Sequence, residues 1–270
     1  MSFYTSLSGL KNAQTGLNVT AHNISNAETL GFKKSRVQFS DIVAGGAFTN
    51  PTMMQGIGST VQSIMQTHSM GPIEQSGGAL DIAVNGDGFF TTKNPDTDAT
   101  FYTRAGAFTV DDTGFVKDGM GNRLQIFEDG ADPTTDAPVD LALPADNGGT
   151  PPAAFAGVTV GKDGEVKVSF ADGTNQTIGK IALAQFAAPQ GLKQMGSSNW
   201  QATGLSGSAN YGLPGEGVFG SLLPGSLERS NVDITEELVG LITMQRYFQA
   251  NAKAIDTATQ IGQTIMNLRT

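Results

Sequence analysis

Two stretches at opposite ends of the chain carry the same hydrophobic rhythm. Near the C-terminus, Ile234, Leu238, Leu241, Gln245, Phe248, Ala252 and Ile255 follow one another in steps of four and three. Near the N-terminus, Phe3, Leu7, Leu10, Gln14, Leu17, Ala21 and Ile24 do the same, again with a Gln in fourth place. Such spacing puts all seven side chains of a row on one face of a helix. Helices are therefore predicted over 3–24 and 234–268, the second ~52 Å long at ~1.5 Å per residue. Asp233 is placed to cap an orphan amide, Glu236 and Glu237 suit the positive end of the helix dipole, and Arg269 suits the negative end. Each row covers only about three heptads, and an isolated helix of that size is marginal in water. Its large apolar members contribute about 1.5–3 kcal/mol each only when buried. The rows therefore need a partner surface, either each other as a coiled coil or a globular core on which both helices pack. Gln14 and Gln245 either fix register through a hydrogen bond or face solvent. Beyond Ile255 the row shifts to Ala258, Ile261, Ile265 and Leu268, which points to more than one neighbour.

Between these ends the period changes from helix-like to strand-like. Ser25 to Phe32 is rich in turn formers, with Gly31 free to adopt a left-handed conformation. Residues 31–70 form a connector whose strand or helix character the pattern does not settle. From Gly71 the alternation is that of short strands: Leu80, Ile82 and Val84, then Asn85-Gly86-Asp87-Gly88 before Phe89-Phe90, read as a hairpin. Similar units surround Asp111 to Gly114, Asp118-Gly119, Asp163-Gly164 and Asp172-Gly173. Residues 128–156 have the composition of a loop, and 187–225 that of an extended return with Trp200, Tyr211 and Phe219 as separate anchors. The expected fold is α+β: long terminal helices, 1–30 with 232–270, paired as a coiled coil, and a mainly antiparallel all-β body over 71–231 with no large inserted outer domain.

Composition narrows the function. The chain has 270 residues, no Cys and a net charge of −9, with 16 Lys and Arg. Disulfides, thiolate metal sites and a cysteine nucleophile are excluded, and the charge disfavours a nucleic-acid partner, which needs a basic patch. The densest basic run, Lys33-Lys34-Ser35-Arg36, reads as a solvated turn. No stretch approaches the ~20 apolar residues of a membrane span, and no cleavable signal peptide is visible, so export would use another route. His22 and His68 lack spaced ligand partners and read as structural or solvent-facing. Asp81, Asp87, Asp111, Asp112 and Asp118 do not fit a calcium loop and read as turn residues. Catalytic, cofactor and metal sites are not expected.

Several motifs in order resemble the bacterial flagellar rod and hook family. They are Ser6-Leu7-Ser8-Gly9-Leu10, His22-Asn23-Ile24-Ser25-Asn26, Gly31-Phe32-Lys33, Leu80-Asp81-Ile82-Ala83-Val84, Gly88-Phe89-Phe90 and Tyr102-Thr103-Arg104 with Gly106 and Phe108. At the other end stand Ser230-Asn231-Val232-Asp233, Glu237-Leu238, Gln245-Arg246 and Asn251. The resemblance implies terminal helices lining a tubular helical polymer, with the seven residues of each row as the self-assembly seam and the β body outside. It implies a flagellar location and export of an uncleaved chain by the type III apparatus. Implied partners are other copies of the chain and the rod, hook-cap and hook-filament junction proteins. Within the family, Pro189-Gln190-Gly191-Leu192 and Met266-Asn267-Leu268-Arg269 look most like the hook, a flexible universal joint, in a short form without the usual outer domain. A somewhat long segment at 44–56 resembles instead the distal rod, a stiff drive shaft.

Overall fold

The structure, a computed structural model, describes residues 2–44, 55–133, 135–146, 148 and 153–267. They divide into two compact units, one of residues 1–27, 34–67 and 232–270, the other of 28–33 and 68–231.

The first unit holds helix α1 (Ser2–Ser25), strands β1 (Ser35–Ala44) and β2 (Gln55–Gln66), and helix α2 (Ile234–Asn267). The periodicity locates both helices to within a residue or two. Asp233 caps α2 as expected: its carboxylate accepts from the Thr235 amide at 2.8 Å and the Glu236 amide at 3.2 Å. These bonds hold the Asp233 carboxyl below its usual range. Within the connector, β1 and β2 form an antiparallel two-stranded ribbon, pairing Val37 with Ile64 and Phe39 with Val61. Register shifts at Gln38/Phe39 and Ile42/Val43 interrupt the alternation along the ribbon, which hid the strand period from the sequence pattern.

The second unit is built from short strands: β3 (Ile73–Gln75), β4 (Ile82–Asn85), β5 (Phe89–Lys93), β6 (Thr100–Thr103), β7 (Thr109–Val110), β8 (Val116–Lys117) and β9 (Arg123–Glu128). There follow β10 (Val139–Asp140), β11 (Phe155–Val160), β12 (Glu165–Phe170), β13 (Asn175–Ile181) and β14 (Leu183–Gln185). The last are β15 (Lys193–Gly196), β16 (Asn199–Gln201), β17 (Asn210–Gly212), β18 (Ser221–Pro224) and β19 (Ser226–Glu228). The main sheet runs β11-β12-β13-β9-β5-β6-β16-β15 with antiparallel pairing along this order, while β4 pairs with β18 and β3 with β19. Alternation fixes its core: Val166, Val168 and Phe170 on β12 are buried, as are Leu124 and Ile126 on β9, packed with Phe90, Val116, Leu183 and Leu222.

Four of the Asp-Gly turns close hairpins as the composition implies, those joining β7 to β8, β8 to β9, β11 to β12 and β12 to β13. The expected hairpin at Asn85 to Gly88 does not form. Gly86 and Gly88 take φ values of 122° and 124°, far from the left-handed helical values of a tight two-residue turn. The chain instead leaves β4, which pairs with β18, and enters the main sheet in β5. Residues 128–156 are more than a loop: Leu141 and Leu143 are buried in the main core, and β10 pairs with β9. The return at 187–225 supplies four strands, β15 to β18, and part of a second core in which Trp200, fully buried, packs with Phe89, Tyr102, Phe186 and Leu192. Trp200 is thus no separate anchor.

Candidate functional site

In the first unit α1 and α2 run antiparallel against each other. The pairs Gly9 with Asn251, Gly16 with Met244, and Asn23 with Glu237 advance by seven residues on α1 and recede by seven on α2. The contact line on α1 is made of small residues. A Cβ on Gly9 would stand 2.7 Å from the Asn251 side chain, and one on Gly16 2.9 Å from Met244 Sδ. Both neighbours are ends of side chains, which would have to shift to admit the added carbon. Asn23, 1% exposed, donates to Glu237 Oε2 at 3.2 Å and to the Ser35 carbonyl at 2.9 Å, and accepts from the Ser35 amide at 2.9 Å. Replacing Gly16 by Val should therefore cost about 1–3 kcal/mol by overpacking. Adding Met244→Ala should recover most of it, as read from the helix melting signal in circular dichroism.

The predicted rows sit one step round from this line. Leu10, Leu17 and Ile24 each follow a contact residue of α1, and Leu238, Gln245 and Ala252 each follow one of α2, a rotation of about 100°. Because the helices are antiparallel, both rotations turn to the same side of the pair. On α1, Leu7, Leu10, Leu17 and Ile24 are half-buried while Phe3, Gln14 and Ala21 are exposed. On α2, Leu241, Phe248, Ala252 and Ile255 are half-buried while Ile234, Leu238 and Gln245 are exposed. The ribbon β1–β2 holds the other flank of α1. Thr5 Oγ1 donates to the Ile57 carbonyl at 3.3 Å, Asn12 Nδ2 to Ser59 Oγ at 2.7 Å, and the Ser59 amide to Ser8 Oγ at 3.4 Å. One side of the helix pair is thus braced by polar contacts, and the other presents two open, largely apolar rows.

The second unit contains a buried charge cluster. Glu228 accepts from Lys33 Nζ at 2.5 Å, Arg104 at 3.2 Å and the Gly71 amide at 2.9 Å, and its own carbonyl accepts from the Gly31 amide at 2.8 Å. Lys33 donates further to the Ser69 carbonyl at 2.8 Å, and Arg104 to the Gly86 carbonyl at 2.8 Å. Lys33 and Glu228 are 0% exposed and Arg104 is 4% exposed. Lys33 is therefore not part of a solvated turn; its neighbour Lys34 reaches Glu236 at 3.0 Å in the first unit. Burial holds both Lys33 and Arg104 below their usual ranges, against the pull of Glu228. Gly31 does adopt a left-handed φ of 63°. The cluster cinches together segments 31–33, 69–71, 104 and 228, beside places where the chain passes between units.

The remaining candidates are structural. His68 packs edge-on against Phe89 and Trp200, and His22 is exposed on α1. Asp111 and Asp118 accept amide hydrogens within their own turns, and Asp111 pairs with Lys117. No group of three or more metal-ligating side chains occurs among the described residues, and no described helix is long and apolar enough to cross a membrane.

Antiparallel terminal helices in one unit and a mainly antiparallel β body in the other define a protein of the α+β class. Family comparison agrees in all three regions. Residues 3–33 match the flagella basal body rod protein family, 83–168 the flagellar hook protein FlgE/F/G D1 domain, and 223–268 the flagellar basal body rod FlgEFG protein C-terminal region. The flagellar basal-body rod protein FlgG of Bacillus subtilis (strain 168) is 38% identical over 279 residues, covering 99% of this chain and 98% of its own. That of Caulobacter vibrioides is 34% identical, with 98% of each covered. The flagellar hook protein FlgE of Salmonella typhimurium (strain LT2) is 26% identical over 411 aligned positions, with 100% of each covered. The chain belongs to the bacterial flagellar rod and hook family. It is a structural component of the bacterial flagellum, and its relatives are rod and hook proteins rather than enzymes.

Proposed function

We propose that the chain is a subunit of the distal flagellar rod, polymerising into a straight helical tube that acts as a drive shaft. The observation that carries this reading is the end-to-end match, at 38% identity and without an inserted domain, to proteins named for the rod. The hook match needs 411 aligned positions to place 270 residues. A ribbon hydrogen-bonded along α1 is also consistent with a stiffened shaft. The second reading, a short hook subunit in a bending joint, is favoured by Pro189-Gln190-Gly191-Leu192 and by the ending Met266-Asn267-Leu268-Arg269.

In this reading segments 1–30 and 232–270 act as the assembling part, a coiled coil in the polymer, with 31–70 as connector and 71–231 as the outward body. The open rows, Phe3 to Ile24 and Ile234 to Ile255, are the seam where neighbouring copies pack. Heterologous contacts of that kind generate an open helical polymer. The partners are other copies, adjoining rod and hook proteins, and the type III export apparatus that delivers the uncleaved chain. Electron microscopy of concentrated protein tests this: straight tubes are expected, curved tubes favour the hook, and no tubes under any condition removes both. Phe248→Asp places a charge in the seam and should abolish tubes while the near-ultraviolet signal of Trp200 in the β unit stays native. Normal tubes from that variant would overturn the seam.

A further inference from the structure

The first unit holds a trough of about 620 Å³ between α1, β1 and α2, with Gly16, Val19, Val37, Phe39, Gly240 and Met244 in its lining. We propose that this trough receives the C-terminal end of α2 from a second copy of the chain. The contact is head-to-tail and separate from the seam, since no lining residue belongs to either seven-residue row. It rests on the reading that copies join through their terminal helices, and it names the segment and the surface that meet.

The occupant is identified by what α1 leaves uncovered. Carrying the step from Gly16 and Met244 to Gly9 and Asn251 seven residues further places Ser2, the start of α1, opposite Ala258. The rest of α2, residues 259–267, overhangs α1 and is exposed throughout; Ile261, Ile265 and Met266 are each at least 60% exposed. Such side chains contribute to stability only when covered. The overhang cannot reach its own trough, because Met244 and Ile261 stand ~25 Å apart along one helix at ~1.5 Å per residue. A second copy can supply it. The α1 floor from Gly16 to Asn23 is ~10 Å long and the overhang ~13 Å, so their lengths match.

Two glycines of α2 point to the same pairing. Gly is the poorest helix former after Pro, so a glycine inside a helix asks for a packing reason. Gly9 and Gly16 find theirs within the chain, at Asn251 and Met244. A Cβ on Gly240 or Gly262 would instead meet no other atom of the described residues within 4 Å. Gly240 lines the trough, and Gly262 lies on the overhang beside Ile261. With both Cβ atoms missing, the two helix backbones can approach closely. Charge does not oppose the contact. Residues 257–267 include no charged side chain, Lys34 in the trough wall pairs with Glu236 at 3.0 Å, Glu237 accepts from Asn23 at 3.2 Å, and Arg36 is exposed to water. Docking therefore strands no charge. Repeated from copy to copy, a heterologous contact of this kind extends an open polymer.

The chain has no Cys, so an introduced thiol is unique. Val37→Cys and Ile265→Cys are made in separate chains, mixed at the concentration used for microscopy and oxidised. Docking raises the local concentration of one thiol at the other, so a disulfide-linked pair should form about tenfold faster than when Ile265→Cys is mixed with Asp163→Cys, on an exposed turn of the β unit. Gly240→Leu, added to the Val37→Cys chain, sets its Cβ in open space and raises helix propensity. The helical circular dichroism of that chain should hold while its cross-linking falls to the control rate. Cross-linking no faster than the control, or unchanged by Gly240→Leu, overturns the contact. Protection of Val37→Cys from a maleimide in tubes that show no cross-link gives the trough to another part of a neighbouring copy, and overturns it too. Tubes without the cross-link leave the polymer reading standing and remove the trough contact; linked pairs without tubes keep the contact and remove the tube.

Discussion

Replacing Glu228 by Ala is expected to lower the stability of the β unit by about 3–5 kcal/mol, among the largest effects a single substitution produces. The change does not merely delete favourable contacts. It leaves Lys33 and Arg104, both buried, facing each other without a counter-ion, and it orphans the Gly71 amide. Lys33→Met tests the same reasoning from the other side. Removing one of two cations leaves Arg104 and Glu228 as a balanced pair, so the loss should be less than half that of Glu228→Ala, although the lysine makes the shorter bond. The check is denaturant unfolding of the monomer followed by Trp200 emission, with the slope compared between variants to confirm the same transition. Equal losses for the two variants would show that geometry rather than net charge governs the cluster.

That cluster also marks the limit of what the amino-acid pattern discloses. Helix extent was legible, because a 4-3 rhythm survives whatever the helix packs against. Which face packs was not, because α1 meets α2 through Gly9, Gly16 and Asn23, and a hydrophobicity pattern registers only what is large and apolar. The strands flanking the Asp-Gly turns, β7 to β9 and β11 to β13, were legible from alternation, whereas β10 within 128–156 was not. Long-range pairing of β4 with β18 was not, since no local turn links segments so far apart. Lys33 and Arg104 stood in motifs shared with the flagellar family, yet their common partner Glu228 lies 195 and 124 positions away, and no spacing rule reaches so far. The basic run at Lys33 looked solvated because neighbours in sequence suggested a shared environment; a turn at Gly31 separates Lys33, 0% exposed, from that expectation.

His68 gives the second large prediction, a loss of stability in mild acid. Burial against Phe89 and Trp200, reinforced by the nearby charges of Lys33 and Arg104, lowers its pKa to about 4 from the ordinary 6.5. Glu228 and Asp87 are the acidic groups of the same region, the first committed to the two cations and the second exposed. The folded unit thus keeps the imidazole neutral in a range where the unfolded chain protonates it. Above about pH 6.5 neither state carries the proton and stability is at its full value. As pH falls towards 4 the unfolded state binds more protons, so stability declines, by about 3 kcal/mol once the folded-state value is passed. His68→Phe removes the titrating group while retaining the ring packing, so the difference in unfolding free energy between the two chains should shrink or reverse in favour of the variant across that window. Other carboxylates, including Asp111 and Glu165, whose pKa values are also held low by hydrogen bonds, contribute equally to both chains and cancel in the comparison. Parallel curves from pH about 7 to 4 would show that the imidazole titrates alike in the folded and unfolded chains.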